Sequence, residues 1–114
     1  MNEKVIDLKY LKELSSGSKE FEIEMIDMYL LQTPDLVSQI KNAFSQKDFL
    51  KVKSLSHKLK SAVIIFGAKE LHEKLGEIEE LAVDENNLDQ ISELIKIVEE
   101  QSILTVDQLS KEKL

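Results

Sequence analysis

Between residues 5 and 109 the chain repeats apolar positions every three or four residues, the interval that lines one face of an α-helix. Val5, Leu8, Leu11 and Leu14 predict a short helix over 5–14, which Ser15-Ser16-Gly17 ends. Ser18 is placed to cap a second helix, in which Phe21, Met25, Met28, Tyr29, Gln32, Leu36, Ile40 and Phe44 hold the period past Pro34. The spacing predicts one long, kinked helix over 18–46; a break into two at Pro34, with Thr33 as the second cap, is the other option. Ile23, Ile26, Leu30, Leu31 and Val37 lie partly outside that stripe, a surplus that the first helix is expected to cover in part.

Gln46-Lys47-Asp48 reads as a short connection, with Asp48 capping a third helix over 49–66. Gly67 supplies the free backbone that a helix end calls for, and a fourth helix follows over 68–83. After a polar turn at 83–89, Ile91, Leu94, Ile95, Val98, Ile103 and Leu109 mark a fifth helix whose last turns are expected to fray. Helices joined by short connections pack as antiparallel neighbours. The expected fold is therefore all-α: an antiparallel up-and-down four-helix bundle with a short additional N-terminal helix, forming a single domain over 1–114. Three glycines, one proline and 5% aromatic residues agree with helices better than with a turn-rich sheet.

Charge and cysteine content narrow the chemistry. With no cysteine there is no disulfide, thiolate metal site or cysteine nucleophile. A net charge of -7 opposes non-specific attraction to nucleic acid or to an anionic membrane surface, so neither is an expected partner. The opening MNEKVIDLKY lacks the apolar core of a signal peptide, and no stretch approaches the ~18 apolar residues of a membrane span; the expected location is the cytoplasm. Within this acidic chain, Lys47, Lys51, Lys53, Lys58 and Lys60 crowd the third helix, which also carries His57.

On a helical wheel Val52, Leu55, Leu59, Ala62 and Phe66 fall within about 80° of one another, and His57 points roughly 160° away from them, toward solvent. Its own face carries Lys53, Ser54, Lys60, Ser61 and the apolar Ile64. Cations one turn away oppose a further positive charge on the ring and favour a free nitrogen lone pair, which suits a nucleophile. Lys60 is placed to hold an anion that forms there. The residue three before His57 is Ser54 and the one three before His72 is Lys69, so the Glu-x-x-His pattern of bundle metal sites is absent at both, and no metal is expected. His72 reads as a boundary residue of the stripe Leu71, Leu75, Ile78 and Ala82, and the run Glu77-Ile78-Glu79-Glu80 reads as a solvated face.

The stretch SHKLKSAVIIFGAKEL resembles the signature of histidine-containing phosphotransfer (HPt) domains, with His57 followed by Lys60 at +3 and Gly67 at +10. The resemblance extends over nearly the whole chain, through the short leading helix, the long helix with its proline and the turn before the histidine helix. It implies a four-helix bundle that carries a phosphoryl group on Nε2 of His57 between aspartates of receiver domains in a two-component phosphorelay. It also implies no bound cofactor, with Mg2+ and most of the catalysis supplied by the receiver. The partners it implies are response-regulator receiver domains or a hybrid sensor histidine kinase, and the chain is expected to be monomeric, without kinase activity of its own. The family commonly has glycine at +4 and often serine at +5, where this chain has Ser61 and Ala62, which implies an altered fit or rate. Sensor-kinase dimerisation domains instead resemble His-Glu/Asp followed by Thr/Asn-Pro, and His57-Lys58-Leu59-Lys60-Ser61 lacks both parts.

If the second and third helices pair antiparallel about the turn near residue 47, positions 34–40 lie level with His57. Pro34, Val37 and Ser38 are then expected to border a docking surface with Lys53, Lys58, Ser61, Ile64 and Gly67. A phosphate-independent helical adaptor that binds a receiver through the same face is the alternative function.

Overall fold

Single side chains decide where the helices begin and end. The structure, a computed structural model, describes residues 3–83 and 86–113 together with the backbone of Glu85. Among these are five α-helices: α1 (Lys9–Ser15), α2 (Lys19–Ser45), α3 (Phe49–Val63), α4 (Lys69–Leu81) and α5 (Leu88–Glu112), with 3₁₀ turns at Ile64–Phe66 and Glu85–Asn87. Ser18 Oγ accepts from Phe21 N at 3.1 Å and Asp48 Oδ1 from Lys51 N at 3.2 Å, each satisfying an orphan donor at a helix start. The helix α2 runs unbroken through Pro34, and the split with Thr33 as a cap does not occur; Thr33 is instead a buried residue inside the helix.

The four longer helices form an antiparallel bundle in which α2 lies between α3 and α5, and α4 packs on both α3 and α5. The shorter α1 packs against α2 and against the Ile64–Phe66 turn. Leu59, Leu71, Leu75, Ile78, Ile91 and Val98 are wholly excluded from solvent. Each such side chain contributes roughly 1.5–3 kcal/mol of apolar burial. A polar link crosses the core where the Tyr29 hydroxyl meets Thr105 Oγ1 at 2.8 Å, with the Tyr29 ring 4.8 Å from that of Phe66. Burial pushes the Tyr29 phenol above its ordinary value, and its bonds to Thr105 and Thr33 offset that only in part.

Several boundaries differ from the periodic pattern, for identifiable reasons. Residues 5–8 are not helical: they form a strap in which Asp7 N donates to Phe66 O at 2.9 Å and Val5 N to Gln108 Oε1 at 2.8 Å. These bonds to distant partners replace the local ones of a helix, and Asp7 Oδ1 then accepts from Lys9 N as the true helix starts. The same strap explains why α5 does not fray. Gln108 Nε2 donates to Glu3 O, Lys4 pairs with Glu112, and Lys113 pairs with Asp27 on α2. The stripe expected on α2 holds only in part: Tyr29, Leu36 and Ile40 are buried, but Phe21 and Met28 of the same stripe are exposed, Met28 by 53%, while Ile26 and Val37, expected partly outside it, are buried.

The end of α3 tightens into the 3₁₀ turn, and Gly67 reverses the chain with φ +66°. A Cβ at Gly67 would lie 2.5 Å from the carbonyl oxygen of Asp7, whereas at Gly17, with φ +88°, it would meet nothing within 4 Å. Gly17→Ala is expected to cost about 1 kcal/mol from backbone strain alone, and Gly67→Ala at least about 2 kcal/mol because the strap must also move. Urea midpoints of the two variants check this; equal losses would mean that the close approach of Asp7 does not constrain the turn.

Candidate functional site

Amphipathicity of α3 places the histidine. Val52, Ser56, Leu59 and Val63 turn into the core, and the opposite face leaves the His57 side chain 65% exposed. Lys53, Lys58 and Ser61 are exposed around it, and Ser61 Oγ donates back to the His57 carbonyl at 3.1 Å. Leu50 and Ile64, each two helical turns from His57, are 81% and 43% exposed. Val83, one turn beyond Glu79, is 70% exposed. An imidazole among lysines is thus flanked by apolar side chains. Leu50 and Val83 were not among the residues singled out in the sequence, although the seven-residue spacing of Leu50, His57 and Ile64 was visible there.

The reading of Glu77 to Glu80 as a solvated face is corrected at Glu79. Its side chain is only 15% exposed, and it stands in the seam between α3 and α4 with Oε2 3.1 Å from His57 Nδ1 and Oε1 2.7 Å from Lys60 Nζ. Desolvation in the seam is the largest single influence on this carboxyl and by itself would raise it. The hydrogen bonds and charges of Lys60 and His57 together outweigh it and hold the carboxyl below its ordinary range. An ionised carboxylate only accepts hydrogen bonds, so Nδ1 is the donor in this contact, and in the neutral ring the lone pair falls to Nε2. Lys60 is itself 25% exposed, its ammonium turned toward Glu79 with two further N–H donors to offer.

The remaining sequence candidates fall elsewhere. Pro34, Val37 and Ser38 line a groove of about 530 Å³ between α2 and α5, together with Ser102, Ile103 and Val106, and the groove's lining includes none of the residues around His57. Antiparallel pairing fixes the height of a residue along a bundle but not the direction it faces. Val37 is buried, 6% exposed. Gly67 is half-buried beneath the strap, where its missing side chain admits Asp7. His72 is half-buried on α4, at the boundary of that helix's core stripe. Among the described residues no three His, Asp or Glu side chains converge as a metal site.

An antiparallel helical bundle that exposes one imidazole beside a lysine defines a class of phosphoryl carriers, and comparison with known proteins gives the family. The Hpt domain model matches residues 24–111, so the chain belongs to the Hpt family, whose members carry out histidine phosphotransfer in phosphorelay signalling with receiver domains and kinases. Among solved structures, the chain is similar to histidine-containing phosphotransfer protein B (HptB) from Pseudomonas aeruginosa PAO1. The TM-score is 0.87 and the identity 19%, over 98% of this chain and 96% of that one. At that identity the likeness shows the fold. Comparison with curated proteins gave no significant match. Among the described residues no helix is long and apolar enough to cross a membrane.

The contact of Glu79 with Lys60 and His57 makes stability depend on pH in a definite direction. A carboxyl whose value is depressed in the folded state contributes stability above its ordinary value of 4.5, and that contribution is lost as pH falls through and below it. The difference in unfolding free energy between the wild type and Glu79→Gln is therefore expected to be largest above about pH 5 and to shrink toward pH 3. Urea titrations at several pH values measure it; a difference constant with pH would mean that the seam charges do not stabilise the fold.

Proposed function

We propose that His57 is the phosphoryl acceptor and donor of this domain, carrying the group on Nε2 between aspartates of receiver domains. The observation that supports this best is the ring itself, exposed at the centre of α3 with Nδ1 engaged by Glu79 and Nε2 left free. Lys60 places an ammonium beside the ring, and its unused N–H donors offer charge-assisted contacts to a phosphoryl oxygen. Lys53, Lys58 and Lys60 steer the acidic pocket of a receiver toward this face, and Leu50, Ile64 and Val83 supply apolar contact at either side. An exposed carrier must release its partner after each transfer, so the interface is small and transient. The receiver brings the Mg2+ that phosphoryl transfer requires, which leaves the carrier without a resident cofactor or kinase activity. The carrier acts as a monomer in the cytoplasm, where receiver domains are available.

Transfer from a phosphorylated receiver tests the assignment. Acid-labile, alkali-stable phosphate is expected on the wild type and on His72→Gln, and none on folded His57→Gln. Lys60→Ala is expected to slow transfer about 3–10-fold, the share of one charge-assisted contact partly screened by solvent. Binding of the receiver without transfer to any of these proteins would replace the carrier by a phosphate-independent adaptor.

A further inference from the structure

The seam between α2 and α5 lies opposite the α3–α4 seam that holds His57, because α2 packs between α3 and α5 while α4 packs on α3 and α5. Along it runs the groove of about 530 Å³, with Pro34 and Val37 on one wall and Ile103 and Val106 on the other. We propose that this groove docks an amphipathic helix of a partner protein, one whose apolar stripe is flanked by lysine or arginine, and that it does so while the His57 face stays free. No phosphate takes part in the docking, so it does not rest on the carrier reading.

Shape and polarity favour a helix. The lining runs from Thr33 to Lys41 on α2 and from Glu99 to Ser110 on α5. At 1.5 Å per residue these stretches are about 12 and 17 Å long, the length of two to three helical turns. A trough between two antiparallel helices receives a third helix as a ridge, whose apolar side chains enter it at intervals of one turn. Leu31, one turn before Pro34, is 78% exposed, and Ile103 on the facing helix is 64% exposed. The bundle's own core makes little use of either side chain, and together they extend the apolar walls outward.

Charge selects the partner. The helix α2 holds two lysines and five carboxylates, and α5 two lysines and six, a joint excess equal to the net charge of -7 of the whole chain. By contrast α3 holds four lysines and no carboxylate. Asp35 and Glu100 each stand one turn from an exposed apolar residue, Leu31 and Ile103 respectively, and no ion pair among the described residues reaches them. The lysines nearest the groove are already engaged: Lys41 with Glu99 at 2.7 Å, Lys111 with Asp107 at 3.2 Å, and Lys113 with Asp27. A second copy of this chain would set one acidic face against another, whereas a cationic helix is attracted. The acidic pocket of a receiver is repelled here for the same reason and drawn to the lysines of α3. The two faces thus sort partners by sign, and the protein can be held at one while the other works.

The test titrates the intact chain with a blocked peptide of about 14 residues, made of leucine and lysine with leucine at the i, i+3, i+4 and i+7 positions of a helix. Amide NMR shifts are expected to move at residues 31–41 and 99–110 and to stay in place around His57 and Glu79. Affinity is expected to fall several-fold between roughly 50 and 500 mM NaCl, and to be at least about tenfold lower for the same pattern built from leucine and glutamate. Ile103→Lys, at an exposed position that the fold tolerates, is expected to weaken binding about tenfold or more, while Leu14→Lys on α1, also exposed, leaves it unchanged. Shifts centred on α3 and α4, or equal affinity for a peptide of scrambled order, would overturn the proposal, the latter because it marks charge attraction without a site. Equal affinity for the glutamate peptide would overturn the choice of a cationic partner. Sedimentation that shows a dimer of the wild type, dissolved by Ile103→Lys, would give the groove to a second copy instead.

Discussion

The reversal at Gly67 is the constraint on which the site depends. A left-handed residue after a 3₁₀ turn folds α4 back along α3, and only glycine fits there beneath Asp7 without strain and collision. Once the two helices are antiparallel, their register sets His57 and Lys60 opposite Glu79. The imidazole is therefore held by a carboxylate 22 residues further along the chain, and a change in the turn would alter that pairing before it altered anything on α3.

Helix content, order and number were legible because each helix buries one stripe, and a buried stripe leaves a periodic trace. Caps at Ser18 and Asp48 were legible for the same local reason. What the pattern hid was azimuth. The long helix α2 carries more apolar residues than its core face uses, so the choice among Met28, Leu31, Ile26 and Val37 was made by what packs beside it. The turning of Pro34, Val37 and Ser38 toward α5 has the same origin.

The site was half legible. His57, Lys60 and Ser61 share one helix face, and wheel geometry brings them together without knowledge of the rest of the fold. Glu79 sits in a run of acidic residues that, taken alone, describes any solvated helix. Folding the chain back at Gly67 places His57 level with residues near 79, so a signal existed, but it identifies Glu79 only when the direction of each helix face is known as well. The start of α1 was masked differently. Val5 and Leu8 have helical spacing, yet the backbone of Val5 is pinned to Gln108 and that of Asp7 to Phe66, which no local pattern reports.

That pinning also orders the events of folding. The bond between Val5 and Gln108 spans 103 positions, and closing a loop of that length costs about 4 kcal/mol in chain entropy when nothing else has formed. The α3–α4 hairpin closes over a few residues at Gly67 and meets a far smaller cost. By that measure the strap and the end of α5 are expected to assemble after the hairpin that presents the imidazole and to open before it on warming. A carrier whose ends have come loose would still hold its histidine against Glu79.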